Sequence, residues 1–122
     1  MRLGGFGTVD PAGMQEGQFH VEVSDDGRRA VLAARGEIDL ATVDLLHEAI
    51  ERASHTSATE VWVDLSDVGF MDSTGLSALV VGHRALPGRF VVICPDGPPR
   101  RALEISGLHE VLRMYHAADD VD

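Results

Sequence analysis

The residues best suited to chemistry lie in one short segment, 70–76, with the sequence Phe-Met-Asp-Ser-Thr-Gly-Leu. A strand is predicted before this segment and a helix from Asp72 or Ser73 onwards. The segment thus lies at the carboxyl end of a strand, where α/β sheets place functional groups. Asp72 or Ser73 can cap the helix, and Gly75 would let another chain approach the backbone closely. An ordinary capped helix whose preceding apolar residues pack inward fits the spacing equally well.

The other residues able to do chemistry form no recognisable catalytic set. None of the six histidines lies four residues from another, and the chain contains no lysine, which excludes a P-loop lysine or a Schiff base. The single cysteine, Cys94, excludes an intrachain disulfide and suits a reducing compartment. Asp25 and Asp26 could form a metal-binding pair of carboxylates at the carboxyl end of a strand, but they lie in a predicted hairpin turn. We therefore predict no enzyme, no metal site and no cofactor.

The composition restricts the class of partner. A net charge of −10 repels phosphate backbones and anionic lipids, so we expect no direct binding to nucleic acid or membrane. A basic protein surface is the complementary partner. The longest apolar runs fall far short of the roughly 18 residues that span a bilayer, and residues 1–17 lack a secretory apolar core. A cytoplasmic location is expected.

Hydrophobic periodicity predicts four strands and three helices, with a fifth element left open as a strand or a helical turn. The strands are predicted at Phe19–Val23, Arg28–Arg35, Glu60–Leu65 and Phe90–Cys94. The helices are predicted from Leu40 to Ser54 with Asp39 as the cap, from Asp72 or Ser73 to Pro87, and from Pro98 to Gly107. The open element is Val111–Tyr115, and Ser66–Met71 is predicted as a loop.

The order of these elements predicts one α/β domain over residues 18–116. An opening hairpin followed by alternating helices and strands gives a mixed, mostly parallel sheet of four to five strands. Right-handed crossovers between neighbouring strands place all helices on one face and leave the other face partly open. Residues 1–17 are predicted to be a flexible tail, and residues 117–122 an acidic one.

Three motifs resemble those of a known family. Asp64–Leu76 resembles the signature of STAS domains in the branch of bacterial anti-sigma factor antagonists. Gly36–Asp39 is similar to the family's motif before its first helix, and Ala102–Leu108 to its motif near the C-terminus. The resemblance extends from about Phe19 to Tyr115, and the three motifs occur in the family's order and spacing.

The resemblance implies a switch protein and not an enzyme. In the family, a partner that is both anti-sigma factor and serine kinase phosphorylates the serine after the aspartate, which here is Ser73. The unphosphorylated protein binds that partner and frees a sigma factor, and a serine phosphatase restores this form. The family commonly has a second serine next, where this chain has Thr74. The partner-binding residues that the resemblance implies are Glu37, Asp39, Phe70, Met71, Asp72, Thr74 and Gly75.

A second function remains compatible with the same motifs. STAS domains also act as scaffolds or as subunits of transport systems, without a phosphorylation switch. The length of the chain and the intact run Met71–Ser73 favour the antagonist.

Overall fold

The computed structural model describes residues 18–121, so the predicted tail at residues 1–17 lies outside the described part. The described chain forms a five-stranded sheet in the order β1-β2-β3-β4-β5, in which only β1 is antiparallel to its neighbour. The strands are β1 His20–Asp25, β2 Arg29–Ile38, β3 Glu60–Met71, β4 Phe90–Ile93 and β5 Met114–Tyr115. The helices are α1 Val43–Ser54, α2 Ser73–Ala85 and α3 Pro98–Ile105, and short 3-10 turns occur at Leu108–Glu110 and Ala118–Asp120.

The main core lies between the sheet and a single layer of helices. Alternate side chains of β2, β3 and β4 point into it, and α1, α2 and α3 each supply fully buried leucines to it. This arrangement confirms the predicted single α/β domain with helices on one face. The buried residues contributed by the three helices include Leu46, Leu79 and Leu103.

The predicted loop Ser66–Met71 is wrong, because β3 continues through it. Two register shifts against β2 show that β3 carries one extra residue at each of two bulges. The β3 side chains in the main core are therefore spaced by two residues from Val61 to Leu65 and by three afterwards, at Val68 and Met71. Trp62 is buried on the opposite face of the sheet. A period-two pattern cannot reveal a strand with that spacing.

Strand β2 also continues beyond its predicted end at Gly36, as far as Ile38. Gly36 has a φ of 108°, and a Cβ atom there would lie 2.8 Å from the Cα of Phe19. The glycine therefore permits a close approach of the backbone entering β1 and does not end the strand.

Helix α1 begins three residues later than predicted, at Val43. The carboxylate of Asp39 accepts a hydrogen bond from the N–H of Ala41, 3.0 Å away, which forms a turn before the helix. Thr42 is the residue at the helix N-cap, so Asp39 does not cap α1. Leu40, predicted to be the first helical residue, is 79% exposed in the turn.

The sheet face opposite the helices carries a second, smaller apolar cluster. Its buried members are Trp62, Val91 and Ile93, and Tyr115 and Val121 pack against them.

The segment Val111–Tyr115, predicted to be either a strand or a helical turn, ends in the short strand β5. In the predicted acidic tail, residues 118–120 form a turn, so that Val121 reaches this cluster. Within residues 18–121, no helix is long and apolar enough to cross a bilayer.

Two substitutions in α2 test the assignment of its inner face. Leu79 is fully buried in the main core, whereas Val81 is exposed on the same helix. We expect Leu79→Ala to lower the free energy of unfolding by about 2–5 kcal/mol, and Val81→Ala to change it by no more than about 0.5 kcal/mol. Denaturant-induced unfolding measures both. A larger loss for Val81→Ala would show that the helix faces the sheet differently.

Candidate functional site

The predicted site lies where β3 passes directly into α2. Asp72 is the only residue between the two elements, and Ser73 is the first residue of the helix. The backbone N–H of Asp72 donates a hydrogen bond to the carbonyl of Ile38, 3.1 Å away. This bond joins the start of α2 to the end of the neighbouring strand β2, so two distant segments of the chain fix the position of Ser73.

Asp72, and not Ser73, caps helix α2. Its Oδ1 accepts hydrogen bonds from the N–H of Thr74 at 2.9 Å and from the hydroxyl of Thr74 at 2.5 Å. These bonds, the one from the hydroxyl foremost, lower the pKa of the Asp72 carboxyl. The hydroxyl of Thr74 is thus engaged with the cap, whereas Ser73 is exposed beside it.

Two of the predicted site residues, Met71 and Gly75, lie beneath the surface. A methyl group on Gly75 would overlap the side chain of Met71 and come within 2.9 Å of Ile38 Cγ2. The glycine therefore permits a close approach by side chains of its own chain, which replaces our interpretation that it leaves room for a partner. Met71 and Gly75 support the site from within.

The predicted site residues that are exposed or partly exposed lie at the carboxyl ends of β2 and β3. Phe70 is 46% exposed, and Glu37, exposed as well, is its pairing partner on β2. Asp39 follows in the turn after β2. We call the residues Glu37, Asp39, Phe70, Asp72 and Ser73 the Ser73 surface. It combines three carboxylates, one aromatic ring and one hydroxyl.

Thr42, which was not predicted to be a site residue, fixes the turn at this edge. Its hydroxyl donates to the carbonyl of Glu37 at 2.8 Å and accepts from the N–H of Asp39 at 3.0 Å. The spacing Asp-x-x-Thr just before a helix was the available signal. Leu40 was also missed as an exposed apolar residue of the same turn, because it was predicted to be the first residue of the helix.

The described residues also show what the site lacks. Within 18–121, no three His, Cys, Asp or Glu side chains are placed to hold a metal ion. Cys94 is buried, and burial raises the pKa of its thiol to about 11. The thiol is therefore protonated at neutral pH and unreactive.

The chain belongs to the STAS domain family, whose family model matches residues 20–121. It is 33% identical over 102 residues to the anti-sigma-F factor antagonist RsfB of Mycobacterium tuberculosis, covering 82% of this chain and 84% of that protein. It is 26% identical over 104 residues to the anti-sigma-B factor antagonist of Staphylococcus aureus, covering 83% and 96%.

A solved structure agrees with these relatives. The crystal structure of an anti-sigma factor antagonist from Mycobacterium paratuberculosis superposes with a TM-score of 0.79 at 29% identity, covering 85% of this chain and 91% of that one. The relatives of this chain are thus anti-sigma factor antagonists, and the resemblance carried by its three motifs is confirmed.

The pKa of Asp72 tests the cap. Thr74→Val removes the hydroxyl that contributes most to lowering this pKa, so we expect the pKa to rise, whereas Thr74→Ser should keep it low. Titration of the carboxyl by NMR measures the change.

The lowered pKa of Asp72 also makes the stability of the protein depend on pH. The hydrogen bonds from Thr74 to the ionised Asp72 carboxylate stabilise the folded protein above the ordinary pKa of aspartate, and this contribution is lost as the pH falls through the folded-state pKa. The stability difference between the unsubstituted chain and Thr74→Val should narrow in acid.

A pair of glycines tests the packing beneath the site. Gly75→Ala must displace Met71 or Ile38, so we expect it to destabilise the protein by about 1–3 kcal/mol. At Gly69, which lies in β3 nearby, a Cβ atom would meet nothing within 4 Å. Gly69→Ala should therefore stay within about 0.5 kcal/mol. Equal unfolding free energies for the two variants would contradict the close approach.

Proposed function

We propose that this chain is an anti-sigma factor antagonist whose binding is switched by phosphorylation of Ser73. The unphosphorylated form binds an anti-sigma factor that is also a serine kinase, and so frees a sigma factor. The kinase transfers phosphate to Ser73 and thereby releases the antagonist, and a serine phosphatase returns it to the binding form. The chain acts by binding and not as an enzyme. We expect this cycle in the reducing cytoplasm, which suits a single buried cysteine.

The observation that carries the proposal is the position of Ser73. It is an exposed hydroxyl at the first position of α2, held in place by the hydrogen bond between Asp72 and Ile38. A kinase needs a hydroxyl that it can reach and that keeps a fixed orientation. Relatives with the name anti-sigma factor antagonist, at 33% and 26% identity, support the class of partner.

The hydrogen bonds of the cap favour Ser73 over Thr74 as the phosphate acceptor. The Thr74 hydroxyl already donates to the Asp72 carboxylate, and Thr74 is only partly exposed. A phosphate on Thr74 would replace that bond with repulsion between two anions. A phosphate on Ser73 leaves the cap intact.

The same geometry explains how a phosphate can release a partner without unfolding the domain. A phosphoserine adds about −1.5 to −2 charge at neutral pH, and the N-terminus of a helix tolerates negative charge. The free domain therefore stays folded. A partner that covers the Ser73 surface would have to bury the dianion, which is costly without new cationic partners.

The Ser73 surface also specifies the chemistry of the partner. Glu37, Asp39 and Asp72 give it a negative charge, and Phe70 offers a half-exposed ring among them. The complementary surface is basic and contains an apolar recess that accepts an aromatic side chain. A net charge of −10 further steers the chain towards a basic surface.

Phosphorylation in the presence of the cognate kinase tests the proposal. We expect the unsubstituted chain to gain one phosphate, mapped to Ser73 by mass spectrometry, and to lose affinity for the kinase by at least about tenfold, because the complex excludes an unpaired dianion. Ser73→Ala should still bind and should no longer be released by ATP. Ser73→Glu should bind weakly, since one charge takes the place of the phosphate.

Ser77 supplies a matched control. It is an exposed serine one turn further along the same face of α2. Ser77→Ala should bind, accept phosphate and be released like the unsubstituted chain. Equal affinity of the phosphorylated and unmodified forms would overturn the switch, and phosphate mapped to Thr74 in the unsubstituted chain would overturn the choice of residue. All variants should unfold at nearly the same temperature, since Asp72 provides the cap.

A further inference from the structure

Strand β1 has a regular outer edge with little protection against pairing. It pairs with β2 through six consecutive residues without a register shift, and within residues 18–121 nothing pairs with its outer side. Proteins usually protect such edges with a bulge, a proline or charged side chains, lysine above all. Residues His20–Asp25 contain no bulge, proline or lysine, and their charged side chains are Glu22 and Asp25.

The side of β1 that faces the helix layer is also incompletely covered. Val23 pairs with the buried Leu32 and so points towards the helices, yet it is 55% exposed. Next to it lies a cleft of about 400 Å³ between β1 and α1, with walls that include Val21, Leu45 and Ala49. Leu45 is 47% exposed at this cleft.

The sequence of β1 is complementary to itself in one antiparallel register. Suppose that a second copy continues the sheet with its helices on the same side. Two residues that face each other across the new interface must then point to the same face of the sheet, so they are an even number of positions apart. In a symmetric antiparallel pair, one residue therefore lies on the twofold axis and faces its own copy. When Val21 faces Val21 of the second copy, His20 faces Glu22 on the outer side, twice. On the helix side Val23 then faces Phe19, so the pairs formed there between described residues are apolar.

The neighbouring registers lack this complementarity. A register centred on Glu22 places two carboxylates directly opposite each other, which is destabilising. A register centred on Val23 places Asp25 against Val21 on the apolar side. Charge and hydrophobicity therefore select the register centred on Val21.

We propose that β1 is a self-association edge, on which a second copy of this chain pairs antiparallel with Val21 on the twofold axis. The two sheets join into one of ten strands, and the exposed Val23 and Leu45 of each copy face the other. The residues of β1 pair with residues 30–35 of β2 and not with Glu37, so the strand pairing itself does not use the Ser73 surface. The dimer therefore presents two Ser73 surfaces.

Two experiments test this interface: analytical ultracentrifugation of the full chain, and disulfide cross-linking between cysteines introduced into β1 of the two copies. We expect the average mass to rise from one chain towards two with concentration, measured at about 0.15 M salt, where the Debye length of about 8 Å reduces repulsion between the acidic copies. Val21→Cys should form a disulfide-linked dimer under mild oxidation at least about tenfold faster than Val23→Cys, because only residue 21 faces itself. The native Cys94 is buried and should not interfere.

The variant Val23→Cys is a stringent control, because random collisions favour the more exposed residue. A charge exchange gives a second control. His20→Glu should weaken the dimer by about tenfold, and adding Glu22→His to the same chain should restore it with unchanged composition. A mass of one chain at all concentrations, equal rates for the two cysteines, or no restoration would each overturn the proposal. So would a monomer whose β1 amides resist hydrogen exchange, since another part of the same chain would then cover the edge.

Discussion

The pairing of β2 with β3 beyond Leu65 is the constraint on which the rest of the site depends. It carries the two strands side by side to Ile38 and Met71, where the Asp72 N–H bonds to the Ile38 carbonyl. Because of this pairing, α2 starts at a fixed place and Gly75 lies tightly against Met71 and Ile38. Glu37 near the end of β2 and Asp39 just after it are brought to the same edge as Ser73 for the same reason.

The buried and the exposed residues of the site have different roles. Met71 packs against Gly75 beneath the site, and Asp72 and Thr74 close the first turn of the helix. Ser73 and Phe70 remain exposed at the surface. Because the cap and the packing beneath it do not use the Ser73 hydroxyl, a modification of that hydroxyl would leave the fold unchanged.

Much of this could be predicted from the sequence. Alternating apolar residues identified the first half of β3, and the run from Asp72 to Leu76 identified the start of α2. The second half of β3 could not be predicted, because its bulges change the spacing of buried residues from two to three. The start of α1 was missed because Asp39 accepts from the N–H two residues further on, as a helix cap does. The turn at residues 40–42, which separates Asp39 from α1, leaves no mark in the sequence pattern. The burial of Gly75 could not be predicted either, because the side chains packed against it, Met71 and Ile38, come from two different strands.

The bond between Asp72 and Ile38 joins residues that are far apart along the chain, and this has a consequence for how the protein is made. Long-range contacts form late, after the entropic cost of closing the intervening loop has been met. The seven residues around Ser73 thus exist in every newly synthesised chain, but their shape exists only in a chain whose central strands have already come together. A modifying protein that recognises the shape, and not the peptide, acts only on molecules that have finished folding.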